Sequence, residues 1–428
     1  MSVFDSFNVL VPKEEYEKYW PVIACDQFTS QPEYWIKLRS EIGESPSSIH
    51  CIIPEAELSS ATEDTYSAIR ENMRRYVDRD VFREYRDAFV YVERTLSDGS
   101  VRPGIVGVID LDEYDYHSGT DLPVRATERT VLERIPPRVK IRENALLELS
   151  HVILLCDDDR CSVIEPLRSE VADKLYDIDL LQGGGHVTGW LVDGEAAVRL
   201  KSRLEEYCRR QEARSGGMLF AIGDGNHSLA AAKAYYESIK NTGEDPVVVE
   251  HARYAMVELL NIYSLDQELE PIDRLLKNVD VEGVLSFIQG AYCEEQVDTG
   301  TDAGYDGHAD QAEAACLDDG YTIEWVTGDS SGTIHLKREG EELPVHILQN
   351  ALDEYLKDES GEIDYIHDED ALRSLADAEN TIGFILPGIS KDSFFKTIAR
   401  DSALPRKTFS IGQAREKRYY IEARLLKK

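Results

Sequence analysis

Leu219-Phe-Ala-Ile-Gly-Asp-Gly-Asn-His-Ser-Leu-Ala-Ala-Ala-Lys233 decides how the rest of the chain is read. Met218 to Ile222 is a short apolar run of the kind that fills a buried strand. Gly223-Asp224-Gly225 breaks it. Beyond the break Leu229, Ala232, Tyr236 and Ile239 recur at three- and four-residue steps. That periodicity predicts a helix over 227–240, stopped by Asn241-Thr242-Gly243. The reading is strand, tight turn and helix start. Asn226 and Ser228 suit an N-cap, and the first-turn N–H groups of a helix lack intrahelical acceptors. Such a helix start attracts phosphate, and in α/β proteins the turn after a strand's carboxyl end is where ligands bind. Asp224 and His227 add a carboxylate and an imidazole. The same residue types also make ordinary capped turns. Asp, Asn, His and Ser crowded between 224 and 228 exceed what one turn needs.

Working outward, 195–213 reads as the helix that delivers the chain to this strand, and Tyr254 to Tyr263 as an apolar strand that follows. His151 to Cys156 is a further buried-strand run, with Cys156 in the core. Near the N-terminus, Val22-Ile23-Ala24 reads as a strand ending at Cys25-Asp26. Thr29 or Ser30 then caps a helix carrying Tyr34, Trp35 and Leu38. Asp26, at a strand end, is a candidate ligand or acid, or simply a turn residue. Residues 60–85 read as one amphipathic, Arg-rich helix. Ala88–Leu96 and Val101–Leu111 are β-rich runs joined at Asp98-Gly99, a hairpin signal. The acidic patch Asp110, Asp112 and Asp115 reads as a solvated turn.

Two stretches carry further candidates. Arg125, Arg129, Arg134, Arg138, Lys140 and Arg142 form a basic cluster in an acidic chain. It suits the positive wall of an anion site, or ion pairing with the many carboxylates. Glu128 within it is a candidate base or metal ligand. Gly183-Gly-Gly-His186 lacks the Gly-Lys-Ser/Thr end of a P-loop, and reads as a turn between helix and strand.

A domain boundary falls near 265, giving domains at 1–265 and 266–428. Within the second, 296–320 is Asp- and Gly-rich without calcium-loop spacing, and is expected to be solvated and mobile. Alternating strand and helix signals run from there to a last strand near 419–426. The overall class is α/β with mixed α+β content, a larger N-terminal core and a smaller α+β domain.

The chain has 428 residues, 42% hydrophobic, and a net charge of −35. That charge disfavours broad contact with nucleic-acid phosphates or an anionic membrane surface. No apolar run reaches membrane-spanning length and no signal-peptide pattern opens the chain. The seven Cys show no CxxC pairs, so a reduced, cytoplasmic setting is expected. The sequence does not reveal oligomeric state.

Several motifs carry a resemblance. Ile222-Gly-Asp-Gly-Asn-His227, the Val22-to-Trp35 stretch, Arg125, Glu128 and Thr130, the Gly183–His186 loop and Leu404-Pro-Arg-Lys-Thr408 together resemble the family called domain of unknown function 1015. The strand–turn–helix setting is also similar to the ParB/sulfiredoxin superfamily, which includes a free serine kinase. That likeness implies a ParB/sulfiredoxin-like core with nucleotide phosphate and metal at Asp224, Gly225, Asn226, His227 and Ser228. The chain departs from the superfamily pattern at Ser228, where an Arg is usual, and at Asn226. Sulfiredoxins carry their nucleophilic Cys at the place of Asn226, so sulfinic acid reduction is excluded. Asp273 stands where relatives often have His.

The combined expectation is a phosphotransferase that uses Mg²⁺ and ATP or ADP on a small, serine-like hydroxyl metabolite. Asp224, His227 and Glu128 are the catalytic candidates. Gly225, Asn226, His227, Ser228, Arg125 and Arg138 are the nucleotide-binding candidates, and Asp224 and Asp26 the metal candidates. A non-catalytic nucleotide- or metabolite-binding regulator is one alternative. A hydrolase or lyase using an Asp/His acid–base pair is another.

Overall fold

The computed structural model describes residues 2–29, 31–117, 119–128, 130–214, 217–265, 269–292, 320–337, 343–366, 369–388, 390–401, 404 and 407–427. The chain divides into two compact units. The larger takes Met1–Glu268 together with Lys391–Leu404 and Ile411–Lys428, and the smaller takes Leu269–Ser390 with Pro405–Ser410. Both mix helices and strands, so the fold is α+β. The strands at Tyr419–Tyr420 and Ala423–Leu425, expected in a C-terminal domain, belong to the larger unit. Backbone pairing decides this, because Ala423 lies opposite both Leu10 and Leu149. Nearly all of the expected acidic segment at 296–320 lies outside the described residues.

The larger unit is built on one 13-stranded mixed sheet. Its middle runs Val124–Arg125, Phe220–Asp224, Ile153–Cys156, Tyr254–Asn261, Val101–Asp110, Phe82–Thr95 and Phe7–Pro12. These strands are apolar on both faces where helices cover them, as in Ile153–Cys156, whose four residues are all buried. The helix Asn226–Ile239 packs on the sheet through Leu229, Ala232, Tyr235 and Tyr236. Its other flank, Ala230 and Ala231, meets Ile135 and Val139 of the helix Ile135–Arg142. The alanine run has no bulk on either side, which lets one helix sit between a sheet and a second helix.

Three local expectations are corrected. The helix expected over 60–85 spans only Glu63–Asp78, opened by a Thr62/Thr65 capping box. Asp80 takes a left-handed φ of 53°, and the chain leaves as the strand Phe82–Thr95. The Gly183–Gly185 turn joins two antiparallel strands, Lys174–Asp179 and His186–Val192, and not a helix and a strand. Its Gly184 lies so close to Tyr419 that an added Cβ would come within 2.1 Å of the phenolic oxygen. Asp110 is no solvated turn residue. It is buried, and the Arg253 guanidinium donates to its two oxygens at 2.9 and 2.6 Å.

The smaller unit carries a five-stranded antiparallel sheet in the order Ser331–Lys337, Gly320–Val326, Thr381–Ile385, Asp273–Lys277, Glu362–Ile366. Leu275 and Val326 pack against Leu372 and Ala376 of the helix Glu369–Ala376. Asp273 is buried there and accepts the Leu386 N–H at 2.9 Å. Burial raises its pKa to about 6, against the pull of that N–H.

Candidate functional site

The strand Phe220–Asp224 runs parallel to Val124–Arg125 and antiparallel to Ile153–Cys156, with a register slip between Ile222 and Asp224. Gly223 sits at the slip. A Cβ there would meet Ile411 Cδ1 at 2.6 Å. Gly225 precedes the helix at φ 82°, and a Cβ on it would press to 3.0 Å from Val152 Cα. Left-handed backbone against a neighbouring main chain admits only glycine. The Gly-Asp-Gly break thus presents Asp224 at the helix start, with side chains close on Gly223 and the Val152 main chain close on Gly225.

The polar atoms of this turn are unevenly satisfied. The N–H groups of Ser228 and Leu229 both return to the Gly225 carbonyl at 3.0 Å. Asp224 Oδ1 accepts the Gly225 N–H at 2.8 Å. Asp224 Oδ2 is buried and accepts no hydrogen bond, while Lys417 Nζ lies 3.5 Å away. Asn226 Oδ1 is likewise buried without a donor. Each such oxygen costs about 1–3 kcal/mol unless something supplies a donor or a cation.

A second group reaches the same helix start. His151 heads the run into the Ile153–Cys156 strand and is buried. Its Nε2 lies 3.5 Å from Asp26 Oδ2 and 3.5 Å from Ser228 Oγ. Its Nδ1 meets the Tyr420 hydroxyl at 2.7 Å, and that oxygen also accepts the Cys25 N–H at 3.3 Å. Burial works against a charged imidazole, but Asp26 and then Asp224 more than offset it, so the His151 pKa is raised. Burial also works against a charged Asp26. His151, the Gln27 amide and Lys417 overcome it and hold the carboxyl below its usual range. The pair is an imidazolium–carboxylate, with Nδ1–H donating to Tyr420. Asp26 and Ser228 share one ring nitrogen, so this is not a serine–histidine–aspartate relay, which needs the two on opposite nitrogens.

The segment after Val124–Arg125 closes the other side. The Thr127 hydroxyl donates to the Ile222 carbonyl at 2.7 Å, and the Leu404 N–H donates to the Thr127 carbonyl at 2.7 Å. Glu128 bridges to Leu404 through its main chain. His227 Nε2 accepts the Val131 N–H at 3.2 Å, which leaves the ring proton on Nδ1 in the neutral form.

The basic cluster is engaged. Arg125 donates to the carbonyls of Leu122 at 3.0 Å and Ala399 at 3.1 Å. Arg134 and Arg138 pair with Glu55 at 3.3 and 3.1 Å. Lys140 pairs with Glu63, and Arg142 with Glu148. Arg129 lies outside the described residues. Among the described residues, a cation that reaches the turn is Lys417, far along the chain. Sequence reasoning passed over His151, Tyr420 and Lys417 as site residues. The available signals were an imidazole at the head of an apolar strand and the charged run Arg415-Glu-Lys-Arg418 just before a hydrophobic one.

Among the described residues no group of three or more His, Cys, Asp or Glu is arranged to hold a metal, and no helix is long and apolar enough to cross a membrane. The chain belongs to the family described as "Protein of unknown function (DUF1015)", whose model matches residues 6–353. No curated protein matches it. Among solved structures it is similar to a free serine kinase in complex with AMP, at 13% identity and a TM-score of 0.35, covering 70% of this chain and 84% of that one. A conserved hypothetical protein from Pyrococcus furiosus is similar at 11% identity and a TM-score of 0.33, covering 73% and 90%. SbnI from Staphylococcus aureus is similar at 7% identity and a TM-score of 0.35, covering 71% and 81%.

Proposed function

We propose that the larger unit is a cytoplasmic phosphotransferase that moves a phosphoryl group from ATP or ADP to the hydroxyl of a small, serine-sized metabolite. The observation that carries this is the buried, donor-less Oδ2 of Asp224 at the start of the helix Asn226–Ile239. An oxygen so placed accepts the proton of a hydroxyl, and a helix start beside it holds phosphate. Phosphoryl transfer asks mainly for positioning and charge neutralisation, which this turn supplies.

In the step, the acceptor oxygen attacks phosphorus and its proton passes to Asp224 Oδ2. The bond to the leaving phosphate breaks, and the electron pair leaves with the nucleotide. The Lys417 ammonium neutralises charge at the same point. His227 donates Nδ1–H to a phosphoryl oxygen while Nε2 stays on the Val131 N–H. Asn226 and Ser228 shape the phosphate end, and Gly225 lets the phosphate approach the main chain. Glu128 is the second candidate base. Arg125 and Arg138 hold structure through the carbonyls and Glu55, and leave phosphate to the helix start and Lys417.

Mg²⁺ commonly binds through one or two carboxylates plus substrate phosphates and water. Asp224 Oδ2 fits that use as the alternative to its role as base, with Glu128 then taking the hydroxyl proton, and the ion would neutralise phosphate charge. Asp26 fits less well, since His151 and Gln27 already engage it. Its role in this reading is to hold His151 against Ser228. The test is nucleotide turnover with a panel of hydroxyl metabolites and Mg²⁺. Loss of a terminal phosphate that depends on one metabolite, and disappears in Asp224→Asn, is the expected result. Nucleotide binding without turnover across the panel would make the protein a regulator and end the kinase reading.

A further inference from the structure

Beneath the helix start lies a cavity of about 90 Å³. Its walls include Met73, Leu147, Leu229, Met256 and Leu426, so most of it is apolar. Arg142 also lines it. The Arg142 Nη1 donates to Glu148 Oε1 at 2.7 Å, but its Nε and Nη2 are buried and have no acceptor. Nε and Nη2 form one edge of the guanidinium, the edge that grips a carboxylate with two parallel bonds.

The charge count points the same way. Glu148 serves two guanidinium groups, since Arg424 Nε also donates to it. The Arg424 Nη2 donates to the carbonyls of His251 and Tyr254. Nearby, His151–Asp26 is balanced, and Glu55 answers Arg138 and the more exposed Arg134. One positive charge is therefore left over at Arg142, whose side chain is 14% exposed, in a chain whose net charge is −35. A guanidinium edge buried without an acceptor beside an apolar void is costly unless an anion completes it.

We infer that this cavity binds a small apolar monocarboxylate, with its carboxylate on the Nε–Nη2 edge of Arg142 and its hydrocarbon part among Met73, Leu147 and Met256. The volume is roughly three times that of a water in the liquid, which suits about three to five carbons. A phosphate or dianion is disfavoured, because only one charge is unmatched and the walls are apolar. The assignment does not depend on the phosphotransferase reading, and its test reads binding without turnover.

The full-length protein is titrated with butyrate, with butyramide as the neutral isostere and with inorganic phosphate, by thermal shift and equilibrium dialysis. Butyrate is expected to bind saturably and raise the melting temperature, while butyramide and phosphate at the same concentration do not. Arg142→Gln should weaken butyrate at least tenfold. Ala145→Leu, which fills the cavity and keeps the arginine, should abolish binding, and it decides the matter if Arg142→Gln fails to fold. No butyrate binding, equal response to butyramide or phosphate, or unchanged affinity in Ala145→Leu would each overturn the assignment.

Discussion

Lys417 and Arg418 are consecutive, buried and cationic, yet they serve opposite ends. Arg418 sits in a closed network. It donates to Glu258, to Glu422 at 2.7 Å and to the Ser150 carbonyl at 3.3 Å, and Tyr176 donates to the other Glu422 oxygen. Both Glu422 oxygens and Glu258 Oε2 have named donors. Lys417 lies 3.5 Å from a carboxylate oxygen that accepts nothing else. The difference teaches how to separate two kinds of buried charge. A saturated network specifies a fold, whereas an unsaturated one holds a place for something that arrives later.

The largest effect should come from the saturated side. Arg418→Met strands Glu258 and Glu422 without their cation, and should cost about 3–5 kcal/mol in urea unfolding of the larger unit. A loss near that of an exposed residue would erase the contrast. On the open side, Asp224→Asn keeps the shape and the Gly225 turn. It should lower phosphoryl transfer at least about a hundredfold, about 2.7 kcal/mol, while the urea midpoint shifts by less than about 1 kcal/mol. If instead Asp224→Asn unfolds the protein as Arg418→Met does, both clusters are structural.

These two residues also show what was legible beforehand. Asp224 stood out because its neighbours are local: an apolar run, two glycines and a 3.6-residue stripe all lie within twenty-odd positions of it. The helix Asn226–Ile239 follows from that stripe to within one residue at each end, while the strand, expected over 218–222, lies two residues later at Phe220–Asp224. Lys417 has no local mark. It reaches Asp224 only because the strand Tyr419–Tyr420 pairs with Val22–Ile23, which fixes where the preceding residue points. The same pairing brings Tyr420 and Asp26 to His151. The partners of the Arg125–Arg142 segment stay hidden for a related reason. Its cations are near one another in sequence, but Glu55, Glu63 and Glu148, which engage four of them, become neighbours only in the fold.

A milder test concerns His227. Replacing it by Ala removes the Nδ1–H donor and should weaken nucleotide binding or turnover about tenfold, about 1.4 kcal/mol, with folding nearly intact. A variant with unchanged turnover would reduce His227 to a support for the Val131 N–H.

The smallest effect is a pH dependence at the His151–Asp26 pair. His151 is held above its ordinary value of about 6.5. Its contribution to stability is therefore complete below about 6.5 and is lost as pH rises through the raised value. Asp26 is held below its ordinary value of about 3.9, so its contribution is complete above about 3.9 and is lost as pH falls. The stability gap between wild type and Asp26→Asn should be level from about pH 4 to about 6.5 and shrink at higher pH. A gap that stays level from pH 7 to 9 would show that His151 is neutral in the folded protein.

The return of the C-terminal strand has a consequence for how the molecule is made. Ala423–Leu425 lies between Phe7–Pro12 and Leu147–Leu149 in the sheet, and Lys417 arrives with it. On a ribosome adding about 5–20 residues per second, the chain from Glu268 to Ile411 takes several to about thirty seconds to emerge. Throughout that interval the nascent sheet has two raw edges at Phe7–Pro12 and Leu147–Leu149, each open to pairing with another chain. A message cut short before codon 417 leaves those edges permanently open and Asp224 without its lysine. Such a product exposes unpaired strands, the state that chaperones and proteases recognise.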